Sequence, residues 1–114
     1  MATNARKRVL SAIVAYKAAI AELQSRLEEV DGGLDIFREL IMEGDPVATI
    51  LLGTDASSSR REFAHTMTKF ESARRRLRIA VLELGQDQGC SVADLAKALG
   101  ISRQLAYRLL ADGV

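Results

Sequence analysis

The side chains of this 114-residue sequence that could do chemistry lie mostly in its C-terminal quarter. Arg103, Gln104, Tyr107 and Arg108 are spaced so that one side of a helix would carry all four. Guanidinium and amide groups offer planar sets of hydrogen-bond donors, and the guanidinium stays charged at neutral pH. This set therefore predicts recognition through hydrogen bonds and charge, without a covalent step.

A second group of charged residues is the arginine run at Arg74, Arg75, Arg76 and Arg78. Side chains three or four residues apart share a helix face, so Arg74, Arg75 and Arg78 fall together. Like charges this close repel one another, and an anionic partner such as a DNA backbone would relieve the repulsion. Ion pairs to the acidic N-terminal half of the chain are the alternative, and both can hold for different arginines.

Charge is distributed unevenly between the two halves of the chain, although the formal net charge is only +1. Residues 1–56 hold six Lys or Arg against nine Asp or Glu, whereas residues 57–114 hold ten against six. The local balances are therefore −3 and +4. Positive charge is therefore concentrated in the C-terminal half, as a phosphate-contacting surface requires. The alternative explanation is a helix face that is simply exposed to solvent.

Residues suited to catalysis or metal binding are scarce. His65 is the sole histidine and Cys90 the sole cysteine, and neither belongs to a cluster with metal-ligand spacing. We therefore expect no enzyme activity, no metal and no cofactor. A single cysteine and the lack of a long apolar run favour a cytoplasmic protein without a membrane partner, with Cys90 packed as a small side chain.

The C-terminal residues that could do chemistry are positioned by two short predicted helices. Ser91 caps the first, with Asp94 completing a reciprocal capping pattern, and Gly100 ends it. Ser102 caps the second helix. The apolar residues of the two segments recur at helical spacing and predict one shared buried face: Val92, Leu95, Ala96, Leu99, Leu105, Ala106, Leu109 and Leu110.

This segment resembles the helix-turn-helix of DNA-binding transcriptional regulators. The likeness covers about 20 residues and rests on Ala96 as the small residue of the first helix, on Gly100 at the turn, and on Leu99 and Ile101 beside it. It implies that the second helix enters the major groove of DNA. Arginine suits guanine and glutamine suits adenine. The resemblance thus assigns DNA contacts to five residues: Ser102, Arg103, Gln104, Tyr107 and Arg108.

Two long helices are predicted upstream. The first runs from Asn4 to about Val30, with a heptad seam that favours pairing with another long helix, either in a second copy or in the same chain. Asp31-Gly32-Gly33 is expected to end it. The second long helix runs from about Ser58 to Leu84, and its last turns would complete a three-helix core. The heptad seam of the first long helix consists of Val9, Ile13, Tyr16, Ile20, Leu23, Leu27 and Val30.

The segment between the long helices is predicted to contain two short ones. Residues 34–41 form a short helix closed by Gly44, and Asp45-Pro46 begins another, with Asp45 as cap and Pro46 at the first helical position. Residues 47–52 are apolar nearly all round, so they are expected to be buried in the core. The alternative is that they line a ligand pocket. Residues 53–59 read as a loop that joins the two halves of the chain.

These observations predict an all-α protein in which long heptad-patterned helices form a dimer body and the C-terminus forms a trihelical helix-turn-helix unit. Residues 1–56 would be a helical dimerisation region, and residues 57–114 a long basic helix plus the DNA-binding region. We expect a homodimeric, nucleoid-associated transcriptional regulator that binds double-stranded DNA. Arg74, Arg75 and Arg78 are expected to contact the phosphates of the DNA backbone. A helical protein-interaction module without DNA binding and a phage or recombination accessory factor remain alternatives. Nothing in the sequence identifies a small-molecule effector.

Overall fold

The chain is all-α over the part described by the computed structural model, which covers residues 2–113, with side chains from residue 4. Within that range there are five helices and no strand. They are α1 (Ala2–Met42), α2 (Val47–Gly53), α3 (Ala56–Asp87), α4 (Val92–Leu99) and α5 (Arg103–Asp112). The predicted fold class is therefore confirmed at the level of helical composition.

Helix α1 passes through Asp31, Gly32 and Gly33 without a break. The predicted helix end at this point, and the separate short helix over 34–41, are therefore wrong. Two glycines in a helix interior cost about 2 kcal/mol relative to alanine. Phe37 and Leu40, beyond the glycines, are half-buried, and packing of a helix face commonly outweighs such local preferences.

The buried face of α1 is built from small residues rather than from the large ones of the predicted seam. Ala5, Ala12 and Ala19 are buried and lie seven residues apart, whereas Ile13 and Leu27 of the seam are exposed. Small side chains at a helix contact reduce the distance between the helix axes. Four other members of the seam are half-buried: Val9, Tyr16, Ile20 and Leu23.

Helix α2 begins at Val47 with Pro46 as its N-cap in an extended conformation, so Asp45 is not the cap and Pro46 is not the first helical residue. Gly44, at a φ of +87°, lies in the turn after α1, and the predicted stop there is confirmed. The predicted burial of residues 47–52 is wrong, because only Ile50 is buried. A seven-residue helix that packs on one side leaves its other apolar residues, including Leu52 at 85% exposure, uncovered.

Helix α3 confirms the second predicted long helix and is slightly longer than expected. The loop predicted over 53–59 shrinks to a turn at Thr54 and Asp55, because α3 already begins at Ala56. Gly85 lies inside the helix, not at its end, and is buried. The chain turns after Asp87, where Gly89 adopts a φ of +91°.

The chain divides into two compact units, and each unit contains part of both long helices. We call the residues up to Ala18 together with those from Glu71 onward the terminal unit, and Ala19–Phe70 the middle unit. The sequence-based division at residue 56, which follows charge and proposed role, does not coincide with these units and stays a prediction.

Within each unit, polar contacts hold α1 and α3 together in antiparallel fashion. In the terminal unit, Arg76 donates to the Ser11 hydroxyl at 2.9 Å. In the middle unit, Lys69 pairs with Glu22 at 3.3 Å, and Arg26 donates to the buried Thr66 hydroxyl at 3.3 Å. Helix α1 therefore finds a partner within its own chain along its buried alanine face.

The two units carry opposite charge. The terminal unit holds eleven Lys or Arg against five Asp or Glu, a balance of +6. The middle unit holds five against ten, a balance of −5. The fold thus separates charge more strongly than the halves of the sequence do, because the first turns of α1 join the basic part of α3.

Candidate nucleic-acid interface

The C-terminal helices pack against the last turns of α3 around a small apolar core. Leu82 of α3, Val92 and Ala96 of α4, and Ala106 and Leu109 of α5 are buried in one cluster. The prediction that the end of α3 supplies the third helix of this core is confirmed. Partly buried residues complete the cluster: Ile79, Leu95, Ile101, Leu105 and Leu110.

Local hydrogen bonds fix where α4 and α5 begin. The Ser91 hydroxyl accepts from the backbone N–H of Asp94 at 3.1 Å, and the Ser102 hydroxyl accepts from that of Leu105 at 3.0 Å. A serine in this place satisfies a backbone donor that the first helical turn leaves without a partner. Both predicted serine caps are confirmed, and they set the position of the first residue of each helix.

The turn between α4 and α5 depends on Gly100. Its φ of +73° is left-handed, a conformation that glycine adopts without steric cost. The N–H of Gly100 donates to the Lys97 carbonyl at 3.2 Å, and that of Ile101 donates to the Ala96 carbonyl at 3.0 Å. This pair of bonds is the Schellman arrangement that ends many helices, and α5 begins three residues after the glycine.

Helix α5 presents the predicted polar residues to solvent. Arg103, Gln104, Tyr107 and Arg108 are exposed, with Tyr107 at 57%. Within the described residues, none of the four makes a side-chain hydrogen bond or an ion pair. The side that faces the apolar core holds α5 in place, while this side keeps its hydrogen-bonding capacity free. Ser102 is exposed too, but its oxygen already accepts the capping bond.

The arginines of α3 have different environments. Arg74 pairs with Glu71 on its own helix at 3.2 Å, and Arg78 is half-buried. Arg75 pairs with Asp112 in the last turn of α5, so the structure brings this predicted contact residue to the end of the candidate recognition helix. Arg76, which is on the same helix, donates to Ser11 of α1 instead.

One basic residue near these arginines escaped the sequence analysis. Arg8 of α1 pairs with Glu83 of α3 at 3.5 Å, and it lines the same cleft as Arg75 and Arg76. The only signal in the sequence is the short basic run at residues 6–8. Antiparallel packing brings Arg8 to residues that follow it by more than 60 positions, and short-range spacing does not reveal that.

The described residues offer little for other chemistry. No group of three or more His, Cys, Asp or Glu among them is placed to hold a metal ion. His65 is exposed, and so is Cys90, which corrects the expectation that Cys90 packs against its neighbours. None of the helices in the described range is long and apolar enough to cross a bilayer.

Comparison of the chain with protein-family models, with curated protein sequences and with solved structures finds no match. Functional inference therefore depends on the residues and geometry of this chain.

Proposed function

We propose that the protein is a sequence-specific transcriptional regulator that binds double-stranded DNA as a homodimer, with α4 and α5 as its helix-turn-helix. One observation carries this proposal. Helix α5 buries Ala106 and Leu109 and leaves Arg103 and Gln104 exposed, without partners among the described residues. In a recognition helix, such side chains bond to base edges in the major groove, arginine to guanine and glutamine to adenine.

The charge of the terminal unit supports the proposal. A balance of +6 lies in the unit that contains α4 and α5, while the acidic residues are concentrated elsewhere. Neutralising phosphates releases counterions and provides much of the affinity for any duplex. Arg74, Arg75 and Arg78 are proposed to contact the backbone, with Ser102 offering its hydroxyl proton to a phosphate.

The homodimer rests on the apolar surface of the middle unit. Leu27, Leu34 and Ile41 lie seven residues apart on α1 and are all exposed, Leu34 at 60%. Val47 and Leu52 of α2 are exposed as well. A contiguous apolar patch usually marks an interaction surface, and residues spaced by seven on a long helix suit a second helix. Two copies would read two half-sites about one helical turn apart.

The same apolar surface favours one alternative function. A helical protein-interaction module without DNA binding would also expose large apolar residues on an acidic unit. The two functions differ in what they require of α5, because an interaction module of that kind needs no free arginine and glutamine there. We propose that the regulator lies in the cytoplasm, associated with the nucleoid. An interaction module does not have to be associated with the nucleoid.

The proposed function is tested by selecting bound duplexes from fragmented genomic DNA with the full-length protein, and then measuring electrophoretic shift of the selected sequence. We expect one sequence to bind at least about a thousandfold more tightly than unrelated DNA, with two related half-sites. Failure to shift any duplex at low salt would overturn the proposal and favour the interaction module.

A further inference from the structure

The terminal unit contains a basic cleft of about 280 Å³, and of its arginines the proposed function uses only Arg75. The first turns of α1, the middle of α3 and the residue after α5 form its walls. Three arginines are among the residues that line it, Arg8, Arg75 and Arg76, together with Ser72. Glu83 is its one acidic lining residue, and Gly113 closes it beside α5.

We propose that this cleft binds a phosphodiester of the DNA backbone while α5 occupies the major groove. The inference rests on the proposed function, since it adds a second contact to the same duplex. Guanidinium groups suit phosphate because their planar donors match its oxygens in pairs. Three of them around one cleft form an anion site that extends DNA contact beyond α5 to α1 and α3.

The arginines of the cleft are held by weak contacts that a phosphate can replace. Arg75 pairs with Asp112, and Arg8 pairs with Glu83 at 3.5 Å. Both arginine side chains are about half exposed, and solvent-exposed ion pairs contribute little free energy. Among residues 4–113, the one acceptor of the Arg76 side chain is a neutral serine hydroxyl. Each guanidinium has five N–H donors, so donors remain for a phosphate even while these contacts persist.

Besides Glu83, which pairs with Arg8, the carboxylate that opposes the phosphate is that of Asp112. It lies in the last turn of α5 and its carboxylate occupies Arg75. The carboxyl end of α5 also carries a partial negative charge of about half an elementary charge, and this charge repels an anion. Three guanidinium charges outweigh that dipole, but Glu83 and Asp112 each lower the balance by a full charge, which leaves +1. Asp112 therefore limits affinity for DNA, and removing its charge strengthens binding.

The test measures the dependence of DNA affinity on salt for the full-length protein, by fluorescence anisotropy with the selected duplex and with an unrelated one. We expect the double variant Arg8→Gln/Arg76→Gln to bind both duplexes more weakly and to lower the slope of log affinity against log salt by about one. Arg61→Gln is the matched control, since Arg61 is exposed and donates to a serine hydroxyl at 2.9 Å as Arg76 does, but in the middle unit.

The second part of the test replaces acidic residues, and one of these changes is expected to raise DNA affinity where the arginine variants lower it. Asp112→Asn is expected to raise affinity for both duplexes by about two- to fivefold at low salt, because an exposed pair is weak. Asp87→Asn removes the same charge from the terminal unit, and among the described residues Asp87 does not pair with an arginine of the cleft, so this variant is expected to have a smaller effect. Circular dichroism melting checks that each variant folds, and the doubly conservative Arg8→Lys/Arg76→Lys restores the slope.

Two results would overturn the proposal. One is a double variant with the salt slope of the wild-type protein, and the other is an Asp112→Asn variant that behaves as Asp87→Asn does. Arg103→Ala separates these failures from failure of the proposed function. If Arg103→Ala loses discrimination between the duplexes while the cleft variants change nothing, the helix-turn-helix stands and the cleft is not a phosphate site.

Discussion

Gly85 of α3 lies directly against Leu95 of α4, so that a Cβ atom at Gly85 would overlap the leucine side chain. The missing side chain at Gly85 therefore leaves the space that the Leu95 side chain occupies. Gly85 is buried, and Leu95 packs at the edge of the core. An interior glycine in a helix is unfavourable by itself, and close packing accounts for its presence here.

Replacing Gly85 by valine tests this contact. We expect Gly85→Val to lower the free energy of unfolding by about 1–3 kcal/mol, because overpacking displaces Leu95. Chemical denaturation measures the change. Gly32→Val is the matched control, since a Cβ at that helical glycine meets nothing within 4 Å. Equal stability of Gly85→Val and Gly32→Val would show that the Leu95 contact places no limit on the residue.

Gly32→Ala is expected to stabilise the protein. Glycine in a helix interior is about 1 kcal/mol less favourable than alanine, and no atom outside the local backbone lies near the added methyl group. The free energy of unfolding should therefore rise by about that amount, as measured by urea denaturation. A decrease would mean that Gly32 contributes to a contact with another molecule.

Arg103→Ala and Gln104→Ala should each weaken binding to the selected duplex by about 1–3 kcal/mol and relax specificity at the base pair contacted. Both side chains are exposed and have no bonding partner among the described residues, so thermal stability should not change. Arg60→Ala, which removes an exposed arginine of the middle unit, is the control. Unchanged affinity and specificity in both α5 variants would move the DNA contact away from this face.

Leu34→Glu is expected to shift the protein toward monomer in sedimentation equilibrium. Burial of a leucine contributes roughly 1.5–3 kcal/mol, and both copies of the dimer lose one, so the dimer should dissociate at least about a hundredfold more readily. The variant should fold, because Leu34 is 60% exposed. Val14→Glu, at a residue 69% exposed in the terminal unit, serves as the control and should leave the dimer intact. A wild-type dimer in Leu34→Glu would exclude this face as the interface.

The C-terminal helices were predictable because their signals are local. Ser91, Gly100 and Ser102 each act within four residues, through a capping bond or a left-handed backbone angle. Spacing alone then separates the buried from the exposed side of α5. Short-range rules therefore give both the boundaries of these helices and the residues of the candidate recognition face.

The long helices were predicted less well because their limits depend on packing between distant residues. Local propensity favours a stop at Gly32 and Gly33, but burial of Phe37 and Leu40 favours continuation. The role of Arg8 was missed for the same reason, since its partner Glu83 is 75 positions later. Burial of α2 was overestimated because an apolar composition favours burial of a segment but does not show that other residues of the chain pack against it.

The division into units makes the middle unit an insertion within the terminal one. A fragment that begins at residue 57 would lack the α1 segment of the terminal unit, so the isolated C-terminal half does not contain the whole unit that carries α4 and α5. A shorter version of the protein is better made by internal deletion, joining α1 to α3 nearer to Ala18 and Glu71. Because the middle unit lies between the two segments of the terminal unit in the sequence, its length can change while the residues that pack around α4 and α5 stay the same.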